Sequence, residues 1–295
     1  MTKAGYIAIV GRPNVGKSTL LNALLGEKIA IVSAKPQTTR NRIVGILTRD
    51  EAQYIFVDTP GMHRPQSALG DFMMETAKSS MVEADAVILM VDPGKEPSKV
   101  EENVITYLKQ SGVPAVLALN KTDLYNAPDI AKCIQTYAAM HDFTAVVPIS
   151  AKSGKLVDEL LGECEKLLSE SPFFFPEDMI TDQPERQMAA EIIREKLLRT
   201  LDKEIPHGVA VVIEEFKDED TLIRIRAEIF CEKASHKGII VGKNGAELKR
   251  VGTYAREDLE KLFGTKVYLN LWVKVKENWR ESRAAVGNFG YREEN

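Results

Sequence analysis

Cysteine is scarce: the 295 residues hold three, Cys133, Cys164 and Cys231, far apart and without a CxxC pair. That excludes a disulfide scaffold or a zinc ribbon and suits a reducing cytoplasm. Long hydrophobic runs are also missing. The longest, around residues 86–91, is strand-sized, whereas a membrane helix needs ~20 apolar residues. The N-terminal apolar stretch is short and runs into a glycine-rich loop where a cleavage site would fall, so we read no signal peptide. There are no internal repeats, no low-complexity tracts and no coiled-coil heptads, and a monomer is expected. Neither sign of charge dominates, the formal net charge being −4. What remains is an ordinary globular composition, 44% hydrophobic and 28% charged, in a chain long enough for two domains.

Through the first 170 residues strand-like apolar runs recur at 6–10, 43–47, 54–57, 86–91, 115–119 and 145–149. Segments of helical period lie between most of them, at 17–25, 68–83, 98–110, 128–140 and 155–168. The alternation predicts an α/β domain, a mostly parallel sheet with helices on both faces, whose ligands bind at the carboxyl ends of strands. A proline-rich, acidic connector at 171–185 interrupts it, and its three phenylalanines, Phe173, Phe174 and Phe175, read as a docking contact between domains.

Gly11-Arg12-Pro13-Asn14-Val15-Gly16-Lys17-Ser18 fits GxxxxGK[ST], follows an apolar run and opens a helical segment ending its first turn with Thr19. Glycines let backbone N–H groups turn inward on phosphate oxygens, the helix N-terminus adds its positive end, Lys17 neutralises β/γ oxygens and the Ser18 hydroxyl can ligate Mg²⁺. Such a pattern arises by accident in roughly one chain of this length in a hundred; the strand–loop–helix context makes accident a poor explanation.

Asp58-Thr59-Pro60-Gly61 follows the run at 54–57, where an Asp can reach Mg²⁺ and the Gly61 amide can sense the γ-phosphate. Taken alone it is equally a plain turn. Asn120-Lys121-Thr122-Asp123 follows the run at 115–119. The Asp123 carboxylate can accept from guanine N1–H and the exocyclic amine, which adenine cannot supply, and sites of this kind discriminate by about 10⁴–10⁵. Lys121 can cover a face of the base and Asn120 can brace the loop. Ser150-Ala151-Lys152 can close the site with a backbone N–H on guanine O6, and Ser150 also reads as a helix cap.

These motifs resemble the GTPase superfamily of P-loop proteins across residues 1–170. The resemblance implies GTP/GDP and Mg²⁺ as ligands, Lys17, Thr39 and Gly61 as catalytic residues, and Ser18, Thr39 and Asp58 as magnesium ligands. Pro36-Gln37-Thr38-Thr39-Arg40 looks like the first switch; Thr39 is favoured over Thr38, although spacing leaves both open. Met62 stands directly after DxxG, where many regulatory GTPases carry a water-orienting glutamine. This likens the chain to the subclass with a hydrophobic residue there, whose members often use a monovalent cation; Asn14 looks like a potassium-associated asparagine. Slow intrinsic hydrolysis, stimulated by K⁺ and a partner, is the expectation.

After the connector the pattern changes to a helix at 186–203, strands at 209–216 and 222–230 joined by an acidic turn, a helix entering Gly242-Lys243-Asn244-Gly245, a helix at 246–262 and a strand at 266–276. The tail, 278–295, reads as a short helix and a loose end. Between residues 233 and 276 ten basic side chains face four acidic ones, an electrostatic footprint for phosphate backbones that the whole-chain average conceals. GxxG alone is weak evidence, and a second one lies at 287–290. The element order around the first resembles the KH RNA-binding domain over residues 186–277. That implies a smaller α+β domain in which Gly242, Lys243, Asn244 and Gly245 clamp single-stranded RNA, with Lys237, Lys249, Arg250 and Arg256 adding phosphate contacts.

A GTPase of this subclass joined to a KH domain resembles a bacterial family of ribosome-assembly GTPases, an impression strengthened by PQTTR, FPEDMITD and NLWVKVK, the last departing from the common form at Asn270. The resemblance implies binding to the 3′ end of small-subunit ribosomal RNA during 30S maturation, in the cytoplasm, with some peripheral membrane contact. The competing expectation is an RNA-binding protein whose nucleotide is structural and slowly hydrolysed.

Overall fold

The computed structural model describes residues 1–62, 65–202 and 205–292. Backbone contacts divide the chain into two compact units: one of Met1–Val32, Thr39–Arg64 and Met73–Asp182, and a second of Ser33–Thr38, Pro65–Phe72 and Gln183–Asn295.

The apolar runs of the first unit form β1 (Lys3–Val10), β2 (Ile43–Arg49), β3 (Ala52–Asp58), β4 (Ala86–Val91), β5 (Ala115–Leu119) and β6 (Ala145–Pro148), in the order β2-β3-β1-β4-β5-β6. All neighbours are parallel except β2 and β3, whose antiparallel hairpin closes one edge. The two-residue β7 (Ser169–Glu170) pairs antiparallel with the start of β1. Because successive side chains of a strand point to opposite faces, Ile7 and Ile9 face one layer and Ala8 and Val10 the other. The first layer holds α1 (Lys17–Leu25) and α5 (Val157–Glu165), through Leu20, Leu21, Leu160 and Leu161. The second holds α2 (Ala68–Val82), α3 (Lys99–Ser111) and α4 (Ala127–Ala138), through Met81, Val104, Leu108 and Tyr137. Near-continuous apolar strands are what a doubly covered parallel sheet requires. The α3 start is fixed by a reciprocal cap between Ser98 and Glu101.

Phe174 stacks on Tyr6 at 5.7 Å, Phe175 and Met179 pack on Val44, Ile46, Ile55 and Val57, and Gln53 bonds to the backbone of Phe174 and Phe175. The contacts seen for these phenylalanines are therefore with the sheet of the first unit itself.

The second unit contains α6 (Glu185–Thr200), β8 (Ala210–Asp218), β9 (Leu222–Cys231), α7 (Ala234–Val241), α8 (Ala246–Phe263), β10 (Lys266–Val275) and α9 (Arg283–Asn288). Its sheet runs β10-β9-β8, with β9 and β10 parallel and β8 antiparallel to β9. The three helices α6, α7 and α8 pack Ala189, Ile193, Ile240, Val251, Ala255 and Leu259 against Ile225, Ile229 and Val267 on one sheet face. The end of the predicted helix at residue 203 and residues 293–295 of the tail lie outside the described residues. The rest of the tail corrects the expected loose end: Trp279 is wholly buried, donates Nε1–H to the Gly208 carbonyl at 2.9 Å, stacks on Tyr291 and meets Phe289 edge-on. Three aromatics within thirteen positions bury enough apolar area to fasten a short segment. No helix among the described residues is long and apolar enough to cross a membrane.

Candidate functional site

The phosphate loop leaves β1 at the middle of the sheet and enters α1 at Gly16. Gly16 has φ 104°, and a side chain there would collide with the Asn120 amide nitrogen, so only glycine fits. No side chain caps α1 and no acid occupies its first turn. Among the described residues no side chain takes up its first N–H groups, and with its positive end they suit an anion. Asn14 also takes a positive φ, 63°, and is exposed at the tip of the loop.

Around that helix end four side chains from three segments converge. Lys17, buried, donates Nζ–H to the carbonyls of Gly11 and Arg12, both at 3.2 Å. The Ser18 hydroxyl lies 2.6 Å from Asp58 Oδ2 and 2.8 Å from the Thr39 hydroxyl, which is 3.1 Å from the same carboxylate oxygen. Thr38 is not in this cluster; its hydroxyl donates to the Lys35 carbonyl at 2.7 Å. Burial pushes the Asp58 carboxyl above its ordinary pKa against the pull of Lys17, Ser18 and Thr39. Burial likewise brings the Lys17 ammonium down to about 8, Asp58 opposing. Asp58 Oδ1 is buried and makes no hydrogen bond. An orphaned carboxylate oxygen beside two hydroxyls is a hard-oxygen donor set that fits Mg²⁺.

Thr59 donates to the Ile9 carbonyl at 2.8 Å, aligning the Asp58–Gly61 turn with β1, and the Met62 N–H bonds to Gly11 O at 3.2 Å. The Met62 side chain is 4% exposed and packs with Ala8, Val10 and Ala77 in the core. It offers nothing to water.

The loops that follow β5 and β6 meet next to the same loop. Asn120, buried at the end of β5, donates to the Val15 carbonyl at 2.7 Å and accepts from the Ala151 N–H at 2.9 Å. Thr122 donates to the Ile149 carbonyl at 2.9 Å. Asp123 is exposed, and a hydrogen bond from Ser150 holds its carboxyl below the usual range. Lys152 is exposed and Ala151 buried. Ser150 does not begin a helix: it forms an antiparallel bridge with Lys155 across the turn at 151–154, and α5 starts only after Leu156, which has φ 57°.

In the second unit Gly242 has φ 72° and ψ 177°, and Asn244 and Gly245 are left-handed, so the GxxG loop stands off between α7 and α8. Lys237, Lys243, Asn244 and Lys249 are exposed, whereas Arg250 and Arg256 pair with Glu247 and Glu260 at 2.7 and 3.0 Å. A groove of about 460 Å³ runs from Gly245 between α8 and β10, past Lys249, Gly252 and Arg256 to Tyr268 and Asn270.

With both sites in view, comparison with known proteins is decisive. Residues 6–121 match the family described as 50S ribosome-binding GTPase and residues 204–280 match the KH domain. GTPase Era of Ruminiclostridium cellulolyticum is 48% identical over 98% of both chains, and GTPase Era of Clostridium kluyveri 49% identical over 99% of this chain and 100% of its own. The chain belongs to the Era family of GTPases. A variant of Aquifex aeolicus Era bound to GDP·AlF4⁻ superposes with a TM-score of 0.94 at 43% identity, covering 98% of this chain and 99% of that one. An Era solved with MgGDPNP and nucleotides 1506–1542 of 16S ribosomal RNA gives 0.95 at 43% identity, covering 99% of each chain.

Within the Era-type site the structure adds a residue that sequence reasoning missed. Asp92, just past β4, accepts from Lys121 Nζ at 2.9 Å. Despite burial, which acts the other way, hydrogen bonds from Lys121 and Tyr125 hold its carboxyl below the usual range. This pair holds the Lys121 side chain beside the end of β4. The signal was present in the position of Asp92 directly after an apolar run, the same placement that singled out Asp58.

Proposed function

We propose that this protein binds and hydrolyses GTP and uses its KH domain to hold the 3′ end of small-subunit ribosomal RNA during 30S assembly. The observation that carries the reading is the convergence of Lys17, Ser18, Thr39 and Asp58 at the uncapped start of α1, beside the loop that presents Asp123. The RNA part rests on the Era family, one of whose members is solved with a 16S fragment, and on the basic GxxG loop of the second unit.

In this reading Asp123 accepts from guanine N1–H and N2–H, and the Ala151 region meets O6. The α1 N-terminus and the backbone of Gly11–Ser18 receive the phosphates. Lys17, now bonded to two carbonyls, exchanges them for β/γ oxygens and regains full charge beside the anion. Ser18, Thr39 and Asp58 would hold Mg²⁺, which supplies neutralisation of charge on the phosphate oxygens. The Gly61 N–H donates to the γ-phosphate. Water attacks phosphorus in line, the bond to the β–γ bridging oxygen breaks, and GDP departs with the electron pair. Because Met62 is packed in the core, no side chain at that position orients the water. Hydrolysis is therefore slow without help, and K⁺ near the exposed Asn14 is the proposed source of added positive charge.

Three free, buried cysteines suit a reducing cytoplasm; the same reading makes the chain a monomer with at most peripheral membrane contact. The test is phosphate release in K⁺ and Na⁺ buffers, with and without the 1506–1542 RNA fragment. Stimulation by both supports the proposal. Turnover indifferent to RNA and cation, with RNA still bound, would favour the reading in which the nucleotide is structural, to which the buried Met62 lends weight.

A further inference from the structure

Helices α6, α7 and α8 cover one face of the sheet of the second unit. Its other face carries alternate residues of each strand: Glu215 and Lys217 on β8, Arg224, Arg226 and Glu228 on β9, and Tyr268, Asn270, Trp272 and Lys274 on β10, with Glu215 paired to Lys217, Glu219 to Arg224 and Glu228 to Lys274. At one end Phe230 is covered by Phe289 at 4.4 Å. Beyond it the face is open. Tyr268 is 53% and Trp272 59% exposed, among the most exposed large apolar side chains of the protein. The register sets Tyr268 beside Arg224, Asn270 beside Arg226 and Trp272 beside Glu228. Arg224 lies 5.5 Å from the Tyr268 ring centroid, in cation–π range.

Two aromatic rings four positions apart on one strand are separated by roughly 13 Å, a span two splayed nucleotides can bridge. Basic side chains interleaved with aromatic ones, and an asparagine between the rings, suit stacked bases and a phosphate backbone. The face is also continuous with the GxxG groove, because Tyr268 and Asn270 line the far wall of that groove while standing on the edge strand. We propose that the open face of this sheet is a second surface for single-stranded RNA, on which nucleotides leaving the GxxG groove over β10 stack on Tyr268 and Trp272 and meet Arg224 and Arg226. The inference rests on the RNA-binding reading above and extends it to a surface on the side of the sheet away from the helices.

Tryptophan emission reports on it directly. The chain has two tryptophans, and Trp279 is buried, so stacking quenches Trp272. The probes are the 1506–1542 fragment of 16S ribosomal RNA and six-nucleotide windows of it, the tightest window marking the GxxG site. The full fragment is expected to bind about tenfold or more tighter than that window and to quench emission. Trp272→Ala removes this advantage and leaves the window's affinity unchanged, while Trp272→Phe restores most of it. Arg226→Gln lowers the salt slope for the full fragment by about 0.7 and leaves that for the window alone. Equal affinity of fragment and window, or a full-fragment affinity indifferent to Trp272→Ala and Arg226→Gln, overturns the inference while leaving the GxxG site standing. Unchanged RNA affinity with weaker binding to 30S particles also overturns it, reassigning the face to a protein partner. Failure of the wild type to bind any of these RNAs overturns the RNA reading as well.

Discussion

Asn120 donates its side-chain N–H to the Val15 carbonyl at 2.7 Å, so one buried amide fastens the segment after β5 to the loop after β1. Its oxygen simultaneously accepts from Ala151. Asn120→Ala strands a buried carbonyl and a buried N–H, which costs about 1–3 kcal/mol each when nothing replaces the partner. We expect the melting temperature of the nucleotide-free protein to fall by several degrees and GDP affinity to drop with it. Calorimetry and fluorescent-nucleotide titration check both. Unchanged values would mean that the three loops are held by other contacts.

In the proposed reading Asp123 would offer guanine two acceptor oxygens, its carboxyl held below the usual range by a hydrogen bond from Ser150. An amide offers one acceptor and one donor, which matches the N1–H and the 2-oxo group of xanthine instead. Asp123→Asn should lower GTP affinity by at least a hundredfold, on the order of the discrimination such sites achieve, and raise affinity for XTP. Competition between the two nucleotides measures it. Retained preference for GTP would remove Asp123 from base recognition.

Much of this was legible in the residues. Six strand-sized apolar runs, four of them followed by a polar motif, pointed to the parallel sheet and to the end at which chemistry gathers, because βαβ winding sends the loops after parallel strands to the same side. The second unit's element order was readable for the same reason. The fate of the tail was not. Trp279, Phe289 and Tyr291 are burial partners separated by turns, a pattern with neither strand nor helix period. Nor could spacing separate Thr38 from Thr39, since adjacent threonines in a loop differ only in direction; the structure turns Thr39 towards Asp58 and Thr38 towards Lys35. The hold of Asp92 on Lys121 links residues 29 positions apart and appears only once β4 and β5 lie side by side.

If Lys17 meets the phosphates as proposed, nucleotide binding is a proton-linked event. Burial brings its ammonium down to about 8 in the free protein, and the triphosphate favours the charged form. At pH 8 about half of the free molecules lack this proton and must take it up on binding; at pH 6.5 nearly all carry it already. Affinity contributed by Lys17 is therefore fully present below pH 8 and declines as pH rises through that value. Titration calorimetry at pH 8 in buffers of different ionisation enthalpy should report uptake of about half a proton, absent at pH 6.5 and absent in Lys17→Met. Release of protons instead would contradict the assignment.

Restoring a glutamine after DxxG should not create a faster enzyme. The Met62 side chain is packed against Ala8, Val10 and Ala77, so Met62→Gln places an amide in an apolar core. The expected outcome is a loss of about 1–3 kcal/mol with no gain in phosphate release without RNA. An activated and undiminished variant would show that this segment turns outward in the working enzyme.

The GxxG loop is open to a backbone test as well as a charge test. Gly242 combines φ 72° with ψ 177°, a region reserved for glycine, and a Cβ there would press to 3.0 Å on the Glu247 N–H nitrogen and closer still on its side chain. Gly264, also at positive φ, meets nothing within 4 Å of a Cβ and is left-handed in the ordinary way. Alanine at 264 therefore costs about 1 kcal/mol of conformational strain, whereas alanine at 242 must move the turn that presents Lys243 and Asn244. RNA affinity should fall at least tenfold for Gly242→Ala and stay within threefold for Gly264→Ala. Lys243→Ala, which leaves the turn intact, should weaken binding evenly across sequences and reduce the salt slope by about 0.7. If Gly242→Ala and Gly264→Ala bind RNA equally well, the loop does not approach the RNA backbone and the clamp reading fails.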